Sequence, residues 1–186
     1  YRYFEPASKH GVVAFKGKKI ALTVCEDIWN IGNENPLYTI CPLDEMMPYE
    51  PDFIINVSAS PFDYRQAVKR EKTIKANVER YGIPMFYINH VGAQTELIFD
   101  GGSIIMSADG MIYDEMPFFE ECLKVYELDE VMKGGRHIVQ PKDKIALIHD
   151  ALVLGIKDYF GKLGFTKAVL GLSGGVDSAL TLAVAV

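Results

Sequence analysis

The 186-residue sequence lacks an excess of basic charge, a cysteine framework and a long apolar run. Lys and Arg number 19 against 25 Asp and Glu, and the net charge of −6 excludes a general nucleic-acid binder, because no basic surplus is left to neutralise phosphates. The 3 cysteines show no framework spacing, which favours a reducing, cytoplasmic location over disulfides. No apolar run approaches the roughly 20 residues of a membrane-spanning helix. The 4 histidines form no H-x-x-H or H-E-x-x-H pattern, so no zinc site is expected.

Alternating and apolar segments predict an α/β fold. Two apolar runs around a Lys-Gly-Lys-Lys turn predict a hairpin at 12–24, and a short helix is expected near 43–47. A strand at 53–57, a helix from Ala67 to Tyr81 ended by Gly82, and a strand at 85–89 predict a crossover unit. Both strands are apolar on both faces and need cover on each side. Further strands, with turns at 100–102 and 108–110, are expected at 95–99, 103–107, 111–114 and 122–128.

A glycine-rich run at 171–178 carries the strongest chemical signal. It follows an apolar segment at 168–170 and precedes another at 179–186, which predicts a strand, a turn and a helix start. Such a turn brings backbone N–H groups and a helix N-terminus close to an anion. Without a lysine after the glycines this is no P-loop. The alternative is a plain strand-to-helix turn. The expected phosphate-binding residues, among which the Asp177 carboxylate can hold a Mg²⁺ ion, are Gly171, Leu172, Ser173, Gly174, Gly175, Val176, Asp177 and Ser178.

A cysteine at the end of the predicted hairpin is a second candidate. Cys25 is followed by Glu26, Asp27, Ile28 and Trp29. A nucleophilic cysteine needs a base or a cation to form its thiolate, and donors for the oxyanion that it creates. No histidine is near in sequence, and two adjacent carboxylates raise the pKa of a thiol. The residues alone therefore favour a small apolar core residue at this position.

A resemblance to known families changes that interpretation. Cys-Glu-Asp-Ile-Trp at 25–29 is similar to the nucleophile motif of the nitrilase superfamily, and segments 56–62 and 91–103 resemble its glutamine-hydrolysing branch. Ser-Gly-Gly-Val-Asp-Ser at 173–178 resembles the pyrophosphate loop of enzymes that cleave ATP between the α- and β-phosphates. In this order the motifs resemble the glutamine-dependent NAD⁺ synthetase family. The resemblance implies the later half of a nitrilase-like α-β-β-α sandwich at 1–137, a linker at 138–144, and the start of a Rossmann-like (adenine nucleotide α hydrolase) parallel-sheet domain at 145–186.

The resemblance also implies roles for individual residues. Cys25 attacks the side-chain amide of L-glutamine and carries the thioester, and the N–H that follows it helps to form the oxyanion hole. The residues implied to bind glutamine are Glu26, Ser60 and Gln66. Gln66 stands where the family usually has a basic side chain, and nearby Arg65 is a candidate to take over that contact. The family's general-base glutamate and its lysine lie upstream of the segment that 1–6 resembles, so an internal fragment of a longer protein is expected.

For a whole enzyme, the resemblance implies ATP-dependent amidation of deamido-NAD⁺ with ammonia released from glutamine. ATP and Mg²⁺ take part, NAD⁺ is the product, and a homo-oligomer is expected. Apart from these small molecules and further copies of the chain, no partner is expected, neither nucleic acid nor a membrane. The fragment alone is expected to be inactive. Two alternatives stay open: another nitrilase-type amidase domain, and a structural or assembly segment without turnover of its own. GMP and asparagine synthetases fit less well, since their glutaminase domains differ.

Overall fold

A computed structural model describes residue 5 and residues 7–31, 40–135 and 143–186. Its strands are β1 (Val13–Phe15), β2 (Lys18–Val24), β3 (Phe53–Ser58), β4 (Met85–Asn89), β5 (Val91–Gln94), β6 (Leu97–Asp100), β7 (Ile104–Met106) and β8 (Ile112–Glu115). Its α-helices are α1 (Pro42–Met46), α2 (Gln66–Tyr81), α3 (Leu128–Lys133), α4 (Lys144–Leu163) and α5 (Val176–Ala185). No helix in these ranges is both long and apolar enough to cross a membrane.

Six strands form one mixed sheet in the order β1-β2-β3-β4-β7-β8. The β1–β2 pair is the predicted hairpin, and β3, α2 and β4 form the predicted crossover, with β2, β3 and β4 mutually parallel. The left-handed Gly82 ends α2, and its N–H donates to the Val78 carbonyl. The last two strands, β7 and β8, run antiparallel around the predicted turn at 108–110. These predictions are confirmed.

The core lies on one face of this sheet, beneath α1 and α2. Ala21, Ile54, Met85 and Tyr87 point into it and are almost fully buried. The alternate residues of the same strands face the other way, and Leu22, Val24 and Val57 are 44%, 62% and 48% exposed. Among the described residues this second face is therefore only partly covered, although its apolar pattern requires cover on both sides.

A separate two-stranded sheet, β5–β6, lies beside this core and carries α4. Asp143 caps α4, because its carboxylate accepts the N–H groups of Ile145 and Ala146. The hairpin also meets the segment after β3, since the Phe62 N–H donates to the Ile98 carbonyl at 2.7 Å. The second sheet thus connects the helix that precedes the glycine-rich run to the end of β3.

Two local predictions are wrong. Residues 122–127 form no strand, and Leu128 begins α3; residues 168–170 are irregular and exposed, without a partner strand in the described ranges. The predicted turn at 100–102 does connect two strands, and these belong to different sheets, because β6 pairs with β5 and β7 with β4. Strand character depends on a partner, which local sequence does not specify. Most of the predicted linker at 138–144 lies outside the described residues.

Candidate functional site

The carboxyl ends of β2, β3 and β4 meet at one edge of the mixed sheet, because the three strands are parallel. Cys25 follows β2 directly, Ala59 and Ser60 follow β3, and His90 follows β4. In open α/β sheets, ligands bind in the crevice at this end of the strands. Crossover topology therefore gathers residues that are far apart in sequence around the Cys25 thiol.

The Cys25 turn has an unusual backbone that neighbouring side chains hold in place. Cys25 adopts a φ of +50° and begins a 3₁₀ helix, Cys25–Ile28. The Asp27 carboxylate accepts the Val24 N–H at 2.8 Å, and the Asn56 amide donates to the Cys25 carbonyl at 3.3 Å. The Asn77 amide, on α2, donates to the Ile28 carbonyl at 2.9 Å. A left-handed non-glycine residue is strained, so it persists only where the surroundings fix it.

The electrostatic environment of Cys25 opposes thiolate formation. Burial raises the pKa of the half-buried thiol above its usual value, and the charges of Glu26 and Asp27 raise it further. Hydrogen bonding from the backbone N–H groups of Ala59 and Glu26 lowers the pKa, by less than burial raises it. No lysine or histidine of the described residues is among the groups that chiefly set this pKa. The same two N–H groups lie beside the sulfur, where an oxyanion formed at this thiol needs donors.

Ser60 lies within the same polar cluster. It is 8% exposed, and its N–H donates to the Asn89 side-chain oxygen at 3.0 Å. Tyr87 is 1% exposed, and burial raises the pKa of its hydroxyl, whereas hydrogen bonding from the Ser58 and Ser60 hydroxyls lowers it. The charge of Cys25 also acts on Tyr87. Cys25, Ala59, Ser60 and Tyr87 are therefore neighbours.

The other predicted glutamine-binding residues lie at the rim. Glu26 is exposed within the 3₁₀ turn. Gln66 begins α2 and is half-buried, and its side chain makes no hydrogen bond with the described residues. Arg65 is exposed, pairs with Asp63 at 3.6 Å and lies over the Tyr64 ring. Thus the structure places Ser60 near the Cys25 thiol. Neither Gln66 nor Arg65 makes a hydrogen bond to that thiol.

The glycine-rich run forms a compact turn before α5. Gly174 has a φ of +87°, and Gly175 is the N-cap of the helix. This turn brings the hydroxyl oxygens of Ser173 and Ser178 to 3.1 Å, and the Ser178 hydroxyl donates to the Gly175 carbonyl at 3.0 Å. Residues 171–177 are exposed. A helix N-terminus flanked by two hydroxyls suits a phosphate group.

Asp177 is the acidic residue in the first turn of α5. Within the ranges that the structure describes, no group of three His, Cys, Asp or Glu residues could hold a metal ion. Mg²⁺ is commonly bound by one or two carboxylates together with substrate phosphates and water, rather than by an all-protein cage. A single exposed carboxylate beside a turn that suits a phosphate group therefore fits an ion that arrives with a nucleotide. It does not fit an ion held by protein alone.

The site residues predicted from the sequence do not include three asparagines that support the site. Asn56 and Asn77 hold the Cys25–Ile28 turn, and Asn89 holds Ser60. All three are buried. The available signal is an asparagine inside or at the end of an apolar strand, as in Phe-Ile-Ile-Asn-Val and Met-Phe-Tyr-Ile-Asn. Buried amides need hydrogen-bond partners, so such positions indicate a polar network.

Comparison with known proteins agrees with these motifs. The family model described as NAD synthase matches residues 148–186. A glutamine-dependent NAD(+) synthetase from Synechocystis sp. is 38% identical over 190 residues, which cover 100% of this chain and 34% of that protein. The structure of a glutamine-dependent NAD⁺ synthetase from Acinetobacter baumannii, in complex with ADP, is 31% identical with a TM-score of 0.86, covering 99% of this chain and 34% of that one.

A more distant neighbour bears on the fold alone. A carbon-nitrogen hydrolase from Helicobacter pylori matches 64% of this chain and 43% of its own at 23% identity and a TM-score of 0.54. The fold is thus nitrilase-like, followed by the start of an NAD synthase domain. The chain spans about a third of the length of the curated relatives that it matches, and the match extends over its whole length.

Proposed function

We propose that this chain, homologous over its whole length to glutamine-dependent NAD⁺ synthetases, carries the glutamine-hydrolysing centre and the phosphate-binding loop of such an enzyme. The enzyme amidates deamido-NAD⁺ to NAD⁺ at the expense of ATP, and glutamine supplies the ammonia. It is a ligase of NAD biosynthesis and works as a homo-oligomer in the cytoplasm. The observation that carries the proposal is the presence of both motifs, Cys25 in a strained turn and Ser173–Ser178 before a helix, in one homologous chain.

In the glutaminase half, the Cys25 sulfur attacks the glutamine side-chain carbonyl. The N–H groups of Glu26 and Ala59 lie beside the sulfur and support the oxyanion. Ammonia leaves, a thioester forms, and water releases glutamate. Because burial and two carboxylates raise the pKa of the thiol, a base must take its proton. In the proposed enzyme the base is a glutamate side chain that, with a neighbouring lysine, lies outside these 186 residues, and it passes the proton to the departing ammonia. Ser60, Glu26 and Gln66 bind the glutamine.

In the synthetase half, the loop from Gly171 to Ser178 holds the phosphates of ATP. A carboxylate is a poor acceptor for ammonia, and adenylation gives it a leaving group. Backbone donors at the start of α5 and the two paired hydroxyls suit the departing pyrophosphate. Asp177 is the carboxylate for Mg²⁺, which neutralises charge on the phosphates. A nitrilase-type amidase alone would leave this loop without a role.

The glutaminase half is tested with Cys25→Ala in the full-length protein. Release of glutamate from glutamine should fall by at least about 10³-fold, because no other group can form the thioester. NAD⁺ formation from ammonium chloride should stay near the wild-type rate, since it bypasses the thiol.

The matched control is Cys122→Ala, which removes an exposed free cysteine far along the chain from the site. It should keep full glutaminase activity. Substantial glutamate release by Cys25→Ala would remove Cys25 from the role of nucleophile. Equal losses in both nitrogen sources would instead indicate a folding defect, which a thermal melt of each variant detects.

A further inference from the structure

We infer that Asn89 is a positioning residue for glutamine binding, which it controls by holding the Ser60 segment through a buried network anchored on Arg70 and Asp100. This inference rests on the proposed function. Neither motif includes Asn89, which ends β4 and is 8% exposed.

The side-chain amide of Asn89 is fully used. Its oxygen accepts the Ser60 N–H at 3.0 Å, and its NH₂ group donates to the Asp100 carboxylate at 3.0 Å and to the Gly101 carbonyl at 2.9 Å. The Asn89 N–H donates to the Ser103 hydroxyl oxygen at 2.9 Å. One residue therefore joins the segment after β3 to the segment after β6. Aspartate lacks the two donors and leucine lacks the acceptor, so an amide is the group that satisfies all three partners.

The far side of the network is rigid. Arg70 and Asp100 have side chains that are each 1% exposed, and the guanidinium donates to both carboxylate oxygens at 2.8 and 3.0 Å. A second nitrogen of Arg70 donates to the Gly101 carbonyl at 3.0 Å. The two acceptors of the Asn89 amide group are thus the same two groups that Arg70 holds. One terminal nitrogen of Arg70 bonds to both carboxylate oxygens and the other bonds to the carbonyl, so the planar guanidinium sets the relative positions of the two acceptors of the Asn89 amide.

Arg70 also reaches the thiol side of the site. Its guanidinium lies over the Tyr87 ring, 5.6 Å from the centroid. Hydrogen bonding from the Ser58 and Ser60 hydroxyls acts on the Tyr87 hydroxyl, and the charge of Cys25 acts on it too. Ser60 is therefore held at its backbone by Asn89 and approached at its hydroxyl by Tyr87, and both supports lead back to Arg70.

The consequence for binding follows from geometry. The Ser60 hydroxyl contacts glutamine in the proposed function, and hydrogen bonds weaken steeply when donor and acceptor move out of line. Removing the Asn89 amide frees the Ser60 N–H and lets its loop move. Substrate affinity should fall by a larger factor than the rate of the chemical step at Cys25. The turn that carries Cys25 is held separately, by Asp27, Asn56 and Asn77.

The test compares Asn89→Ala with Asn30→Ala in the full-length protein. Asn30, two residues after the Cys25–Ile28 turn, is 1% exposed and donates to the Ile40 carbonyl, so the control loses a similarly buried amide that does not bond to Ser60. Asn89→Ala should raise KM for glutamine about tenfold, the effect of one buried hydrogen bond, and change kcat by less. Its ammonia-dependent NAD⁺ formation should match that of the wild type. Asn30→Ala should change neither constant for glutamine more than about twofold.

A second measurement reads the geometry without substrate. Amide hydrogen exchange at Ser60 should be faster in Asn89→Ala than in the wild type and in Asn30→Ala. Unchanged exchange at Ser60, or faster exchange with an unchanged KM, would overturn the positioning role. A wild-type protein that hydrolyses no glutamine would overturn the proposed function, and the inference with it, whatever the exchange shows.

Discussion

At the residue scale, Cys25 combines a left-handed backbone with a raised thiol pKa. A residue in this region costs on the order of 1–3 kcal/mol, and its surroundings must offset that cost. Here three side chains hold the turn from three directions: Asp27 at its start, Asn56 at the Cys25 carbonyl and Asn77 at its end. The backbone that carries the Cys25 side chain is therefore held by the fold before a substrate binds.

Glu115, on β8, gives a pH prediction at the same scale. Burial and the charge of Glu71 raise its pKa to about 7, against the opposing charge of Arg70. The folded protein then binds more protons than the unfolded chain between about pH 4.5 and 7, so this group lowers the free energy of unfolding as pH rises through that window. A glutamine at position 115 cannot ionise. The free energy of unfolding of Glu115→Gln, relative to that of the wild type, should therefore be higher at pH 8 than at pH 5.

Urea unfolding at the two pH values measures this difference. Glu79→Gln is the control, because Glu79 is exposed on α2 and loses only a surface ion pair with Lys75. Its stability relative to the wild type should be nearly independent of pH. A Glu115→Gln variant with the same pH dependence as the wild type would show that Glu115 titrates in its ordinary range.

At the element scale, local pattern predicts those parts of the fold whose partners are close in sequence. The β1–β2 hairpin, the α2 helix with its Gly82 end, and the β7–β8 turn are of this kind. Residues 122–127 and 168–170 have the composition of strands, but strand formation needs a neighbour that local sequence does not name. In the same way, β5 and β6 form a sheet of their own, and α4, about 50 residues later in the chain, packs against it.

The residues of the candidate site also differ in how far local sequence predicts them. Cys25 and Ser60 are recognisable from short motifs, whereas the amides behind them are not. The Asn77 amide bonds to a carbonyl 49 residues earlier in the chain, and the Asn89 amide bonds to a carboxylate 11 residues later. An asparagine in an apolar strand signals a buried polar network, but only the fold identifies its members.

The docking of α4 on β5 is a testable contact between elements. Ala93 is 5% exposed, its N–H donates to the Asp158 carboxylate at 2.7 Å, and its carbonyl accepts from Lys162. Asp158→Ala leaves that N–H without its partner, which costs about 1–3 kcal/mol for a hydrogen bond to a charged group. Amide exchange across β5 and β6 should accelerate. Lys157→Ala, an exposed change on the same helix, should leave those rates unaltered, and equal protection in both variants would mean that α4 is held by other contacts.

At the scale of the whole molecule, the proposed function joins two reactions that need one another. In that proposal, the thiol site releases ammonia, and the glycine-rich loop holds the ATP that activates a carboxylate to receive it. The β5–β6 hairpin contacts both the segment after β3 and α4, so it is the described structure that links the two halves. The proposed transfer of nitrogen from one half to the other is the central claim about this protein.

The most direct test is the isotope content of NAD⁺ made from deamido-NAD⁺ and MgATP with amide-¹⁵N glutamine in excess unlabelled ammonium. The full-length wild-type protein should form NAD⁺ with ¹⁵N in its amide, and Cys25→Ala should form only unlabelled NAD⁺. Asp177→Asn should form little NAD⁺ from either source, yet still release glutamate, because in the proposed function the loop serves only the synthetase half. Labelled NAD⁺ from Cys25→Ala, or NAD⁺ without ¹⁵N from the wild type, would contradict the account.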